Sequence, residues 1–201
     1  MRILFITASR LGDAILSTGL LSYIEDRWQD AEVTVACGPL AAPLFRAAPH
    51  VREILEIRKK SYHSHWLDLW KSTVPRRWDM VVDLRNSIVS RLVRGRQKYI
   101  FGPRIDGSLH KAEQNAAVMD LDHTPLLKLW FDSEIRARAR DMIPDGGPVL
   151  GVGPASNWAG KTWPMDRFEE LIARLTDASE NGGILSQARV AVFVRSGEHS
   201  P

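Results

Sequence analysis

The chain has 201 residues, 44% of them hydrophobic, and a formal charge of +3. That length supports one sizeable core or one domain plus part of a second, and no apolar run approaches the ~18 residues of a membrane-spanning helix. The single Cys37 excludes an internal disulfide and a multi-cysteine metal site. "ILFI" near the N-terminus is too short for a signal peptide and reads as a strand, so a cytoplasmic protein is the expectation.

In chain order, apolar β-branched runs predict strands at Ile3–Thr7, Val33–Ala36, Glu53–Ile57, Met80–Leu84 and Lys98–Phe101. Helical patterns fall near 14–28, 40–48, 62–74 and 87–94. The strand runs are nearly uniformly apolar, as in strands covered on both faces, and the alternation predicts a parallel α/β sheet of βαβ units. Residues 109–142 read mostly as helix. "PDGGP" (144–148) is a breaker. A second βαβ then follows: a strand at Val149–Val152, a loop at 153–163, a helix from Pro164 to about Ala178, and a strand in "ARVAVFV" (188–194). The expected organisation is a first domain over 1–146 and the start of a second over 147–201.

Charge is uneven. Residues 52–111 hold 14 Lys/Arg against 6 Asp/Glu, and the rest of the chain 13 against 18. Such a segment suits an anionic partner or is simply a solvated basic face. A nucleic-acid-binding role rests on this segment alone and is not the expectation.

Two stretches carry chemistry. In "SRLGDAILSTGLL" (9–21) the first strand leads through Gly12 to Asp13 at the mouth of an apolar helix. In open α/β sheets ligands sit beyond the carboxyl ends of the strands, so this loop faces a cleft. Asp13 is either a helix N-cap or a general base, and the two roles are compatible. One glycine is too few for a dinucleotide fingerprint, and no acidic residue ends the second strand. In "GVGPASNWAGKTWP" (151–164), Gly160-Lys161-Thr162 resembles a P-loop, but Ala155 stands where that motif needs glycine. What remains is Ser156, Lys161 and Thr162 ahead of a helix start, with Pro164 as its first residue. That is either an anion site or an ordinary exposed loop.

Together these stretches resemble glycosyltransferase family nine, the ADP-heptose:lipopolysaccharide heptosyltransferases. "RILFITASRLGDAILSTGLL" is similar to the family's strand–loop–GD–helix start. Lys161, Trp163, Pro164 and Phe168 match its K-x-W-P-x-x-x-[FW] pattern, and "DMVVDLRNSIVSRLV" (79–93) looks like its fourth-strand region. The resemblance implies a GT-B architecture of Rossmann-like domains and an inverting, metal-independent transfer with no cofactor. The donor would be an ADP-sugar and the acceptor an anionic lipopolysaccharide core, met at the cytoplasmic face of the inner membrane. By position, Asp13 would be the catalytic base. Ser156, Lys161 and Thr162 would hold the donor diphosphate. Arg58, Lys59, Lys60, Arg85, Arg104 and Lys111 are candidate acceptor contacts. The family's D-S-G-x-x-H loop has no counterpart here, so the expectation is a truncated donor domain and weak or absent transfer. The alternative is a non-catalytic interaction module keeping the acceptor side.

Three other features have plain readings. Trp66, Trp70 and Trp78 in "SYHSHWLDLWKSTVPRRW" (61–78) suit a core-facing helix, or else a membrane-contacting one. His50, His63 and His65 lack a further convergent ligand and read as surface histidines. Cys37 reads as a small buried hydrophobe.

Overall fold

A computed structural model describes residues 1–58, 65–156, 159–179 and 182–194. The chain packs as two units, Met1–Asp132 and Ser133–Pro201.

The first unit is built on five parallel strands: β1 (Arg2–Ile6), β2 (Glu32–Cys37), β3 (Val51–Glu56), β4 (Arg77–Asp83) and β5 (Arg94–Ile100), in the order β3-β2-β1-β4-β5. Each overlaps an expected strand, with β1, β3, β4 and β5 ending one residue earlier than expected. The reason for the uniform apolarity of β1 is visible in its two faces. Ile3 and Phe5 enter one core with Val33, Val35, Met80 and Val82. Leu4 and Ile6 enter the other with Ala36, Val81 and Trp78. All four β1 residues are fully buried, and alternation along a pleated strand sends neighbours to opposite sides.

The first core is closed by α1 (Leu11–Ile15) and α2 (Thr18–Arg27), which contribute Ala14, Leu20, Leu21 and Ile24. The second is closed by α3 (His65–Thr73) and α4 (Ile88–Leu92) through Leu69 and Val89. Trp66 and Trp70 pack partly against this second core, and Trp78 lies within it. Core packing therefore accounts for the tryptophans. Cys37 is buried as expected.

Three expected helices differ. The helix near 14–28 starts earlier and breaks at Leu16-Ser17. Residues 40–48 form only a 3-10 turn, Ala42–Phe45, because Pro43 supplies no backbone N–H and prolines flank the segment at 39 and 49. The stretch 109–142 splits into α5 (Lys111–Val118) and α6 (Ser133–Met142). Asp120 takes a left-handed conformation (φ 55°) just past the end of α5, and the chain then runs without regular structure to 132.

At the amino end of the sheet, Glu53 accepts two hydrogen bonds from the Arg76 guanidinium and one from Thr34 Oγ1 at 3.4 Å. The Arg76 hydrogen bonds hold its carboxyl below the ordinary glutamate value against a smaller opposing effect of burial. A lowered folded-state pKa contributes stability above the unfolded value of about 4.3, and that stability is lost as pH falls through the folded value. Both side chains are more than a third exposed, so the pair is worth only ~0.2–1 kcal/mol. Arg76→Ala should therefore lower the urea midpoint slightly at pH 7. The gap from wild type should start to narrow below the unfolded value of about 4.3 and close as pH falls through the lowered folded value.

The second unit joins β6 (Val149–Val152) to β7 (Arg189–Val192) as a parallel pair through α7 (Met165–Thr176). Both strands match the expected βαβ. Pro164 is the residue before the first helical turn rather than within it. The helix α6 falls in this unit, whereas the expected division at 146/147 leaves it with the first. Neither α6 nor α7 buries a residue, and Val190, Val192 and Phe193 are exposed.

Candidate functional site

All five strands of the first unit point the same way, so the loops leaving their carboxyl ends share one edge of the sheet. The β1 loop brings Asp13 there. The structure corrects its capping role: Arg10 is the N-cap of α1, no side chain caps the helix, and Asp13 lies within the first turn. Its carboxylate is half-buried and makes no side-chain hydrogen bond or ion pair among the described residues. A carboxylate so placed is free to accept a proton from a bound hydroxyl.

The loop is held from several sides. Thr7 Oγ1 donates to Ser17 Oγ at 2.7 Å, and Ser17 Oγ donates to Ala14 O at 2.7 Å, with both side chains fully buried. Gly38, at the end of β2, passes so close that a Cβ there would lie 2.6 Å from Ser9 Cα. Only glycine permits that approach. Beside it, Cys37 is pushed up to about 12 by burial, with Glu56 adding to the effect, so its thiol is no nucleophile near neutral pH.

The loop after β4 is organised by Asp83, which is fully buried. One carboxylate oxygen accepts from the Arg85 N–H at 2.8 Å, the other from the Ser87 N–H and Ser87 Oγ, each at 2.7 Å. Asn86 sits between them at φ 54°. The turn points Arg85 back to the β1 loop, where Nη1 donates to Ser9 Oγ at 2.6 Å. The same guanidinium lies 5.4 Å from the Trp66 ring centroid. Arg85 thus joins the loops after β1 and β4 to the start of α3.

The other candidate cations follow the ends of β3 and β5. Arg58 pairs with Glu56 at 2.8 Å and is largely exposed. Arg104 donates to Val118 O at 3.1 Å and lies 3.6 Å from Asp120. Lys111 Nζ sits 4.1 Å from the Phe101 ring centroid. Lys59 and Lys60 lie outside the described residues, as does His63. Asp13, Arg58, Arg85, Arg104 and Lys111 therefore all follow the carboxyl ends of strands on one sheet edge, and each of the four cations already has a protein partner there. Among the described residues no group of three or more His, Cys, Asp or Glu is placed to hold a metal, and His50 Nδ1 faces Ala31 O at 3.1 Å.

In the second unit, Ser156 Oγ and Thr162 Oγ1 are 3.3 Å apart across the β6–α7 loop. Lys161 ends the short 3-10 turn Ala159–Lys161 and is exposed. Trp163 packs edge-on against Phe168 with centroids 5.0 Å apart, bracing the start of α7. The three candidate donor residues thus lie within one loop ahead of a helix N-terminus.

Asp83 and Asn115 were not evident as site-building residues. The signal for Asp83 was present in "VVDLRNS": an acid ending an apolar strand, with Asn and Ser next, is an Asx-turn pattern. Nothing local signals Asn115.

No protein-family model matches the sequence, and no curated protein matches it. Solved structures do. A glycosyl transferase of family 9 from Veillonella parvula matches with a TM-score of 0.70 at 17% identity, over 95% of this chain and 68% of that one. E. coli heptosyltransferase WaaC with ADP matches with a TM-score of 0.66 at 16% identity, over 96% and 67%. E. coli ADP-heptose lps heptosyltransferase II matches with a TM-score of 0.69 at 18% identity, over 98% and 65%. The chain spans about two thirds of the length of these proteins. It has the Rossmann-like α/β fold of these glycosyltransferase structures along nearly its whole length.

Proposed function

We propose that the chain belongs to glycosyltransferase family nine and moves a heptose-type sugar from an ADP-sugar to a lipopolysaccharide-core acceptor. The observation that carries the reading is the Asp13 carboxylate, without a side-chain partner among the described residues, on a sheet edge rimmed by Arg58, Arg85, Arg104 and Lys111. The likeness to structures described as heptosyltransferases, one of them with ADP, supports the same reading. The acceptor hydroxyl attacks the anomeric carbon opposite the diphosphate. The new C–O bond forms as the bond to the ADP oxygen breaks, ADP leaves with that electron pair, and configuration inverts. Asp13 takes the hydroxyl proton. The amides before α7, with Lys161, Ser156 and Thr162, stabilise the charge growing on the leaving diphosphate. No step of this scheme calls for a metal. Among the described residues no helix is long and apolar enough to cross a membrane. In this reading the chain meets a lipid-anchored acceptor peripherally, at the cytoplasmic face.

Titration of ADP into the chain by calorimetry, beside Lys161→Ala, tests the donor half. Binding weakened about tenfold or more in the variant is expected, since a charge-assisted hydrogen bond is worth ~1.5–3 kcal/mol. A folded chain that binds no ADP would sink the donor assignment and favour the interaction-module reading.

A further inference from the structure

The break between α1 and α2 leaves backbone carbonyls that a continuous helix would satisfy. Leu20 N–H donates to Ser17 O at 3.2 Å instead of to Leu16 O. Two of the freed groups find partners locally: Ser17 Oγ donates to Ala14 O, and Thr18 Oγ1 to Ile15 O at 2.8 Å. The third does not. Leu16 O is met by Asn115 Nδ2 at 3.0 Å, from α5, 99 residues along the chain.

Asn115 is 2% exposed, and its Oδ1 has no hydrogen-bond partner among the described residues. A buried orphan acceptor costs free energy. A side chain kept only for packing would carry no such cost, because leucine has the same size without the unpaired oxygen. The amide cannot turn round to relieve it, since Oδ1 would then face the Leu16 carbonyl, acceptor to acceptor. The helix that presents Asn115 is itself firmly started. His110 and Glu113 form a reciprocal capping box at its N-terminus, and Ala112, Ala116 and Val118 bury its inner face.

We propose that Asn115 is a positioning residue: its amide N–H takes the place of the missing helical donor at Leu16 and fixes the direction of α1, and with it the Asp13 carboxylate. This rests on the reading of Asp13 as the base. The rigidity of α1 is nonetheless measurable without turnover.

Gly12 offers a reporter. It is exposed, and a Cβ there meets nothing within 4 Å. Cys37 is buried with its thiol pushed up to about 12. A nitroxide on Gly12→Cys therefore labels one site. Two backgrounds are compared by electron paramagnetic resonance. Asn115→Leu trades one orphan acceptor, its own Oδ1, for another, the Leu16 carbonyl, so overall stability changes little. Val118→Ala, on the same helix and fully buried, loosens packing without touching Leu16. The expected result is a more mobile label in Asn115→Leu and an unchanged one in Val118→Ala. Equal spectra in wild type and Asn115→Leu, or an equal change in both variants, overturn the proposal. In the otherwise unlabelled chain, Asn115→Leu should lower kcat, by up to about 100-fold for a misplacement near 1 Å, and leave KM for the donor unchanged. Retained turnover in Asp13→Asn would remove the base assignment and leave the label result standing. An unmoved label would remove the role of Asn115 and leave the base in place.

Discussion

Whatever sugar transfer the chain supports, Asp13→Asn is expected to lower it by about 10²–10⁴-fold, the range contributed by a well-placed general base. The substitution is nearly isosteric, and Asp13 has no hydrogen bond or ion pair to lose among the described residues. Melting temperature and ADP affinity should therefore stay at wild-type values. The measurement is ADP release from an ADP-sugar in the presence of acceptor, with calorimetry of ADP as the control for folding. Loss of both ADP binding and transfer would point to a structural defect. Unchanged transfer would place the base elsewhere on the rim.

The second large effect is expected at Asp83. Its two oxygens serve three donors, and the carboxylate itself is fully buried. Asp83→Ala leaves two backbone N–H groups and a serine hydroxyl without a partner, at a cost of about 3 kcal/mol or more in urea denaturation. Asp83→Asn keeps one accepting oxygen but turns an NH₂ group toward at least one donor, and should cost about half as much. Both variants release the turn that aims Arg85 at Ser9. They should weaken transfer beyond what their stability loss explains. If Asp83→Ala melts like wild type, water has entered the site and the turn is not held as described.

The three inner strands β1, β2 and β4 were legible because burial on both faces imposes apolar residues at most positions, a constraint that acts locally; the edge strands β3 and β5 are partly exposed and carry only short apolar runs. The β6–α7–β7 unit was legible for a related reason: glycine and proline punctuate its ends. The edge carrying Asp13 followed from strand direction alone. The features that escaped are those set at a distance. No neighbour of Leu16 announces the helix break, because its carbonyl is satisfied from Asn115. Asp13 resembles an N-cap in sequence, yet the helix begins two residues earlier, at Leu11. Arg85 was expected to face an anionic acceptor, and its sequence context does not reveal that Ser9 and Trp66 already engage it. Residues 109–142 have helical composition throughout, but left-handed Asp120 and Pro125 interrupt them.

The bareness of the second unit also governs how the chain comes apart. Cooperative melting requires that losing one contact weaken many others, and that coupling comes from shared interior side chains. The inner strands β1, β2 and β4 have it on both faces. The helices α6 and α7 bury no residue, so opening them gives up little packing. Heat or denaturant therefore meets two thresholds, a low one for the β6–β7 pair and a high one for the five-stranded sheet. A single melting temperature describes only the latter.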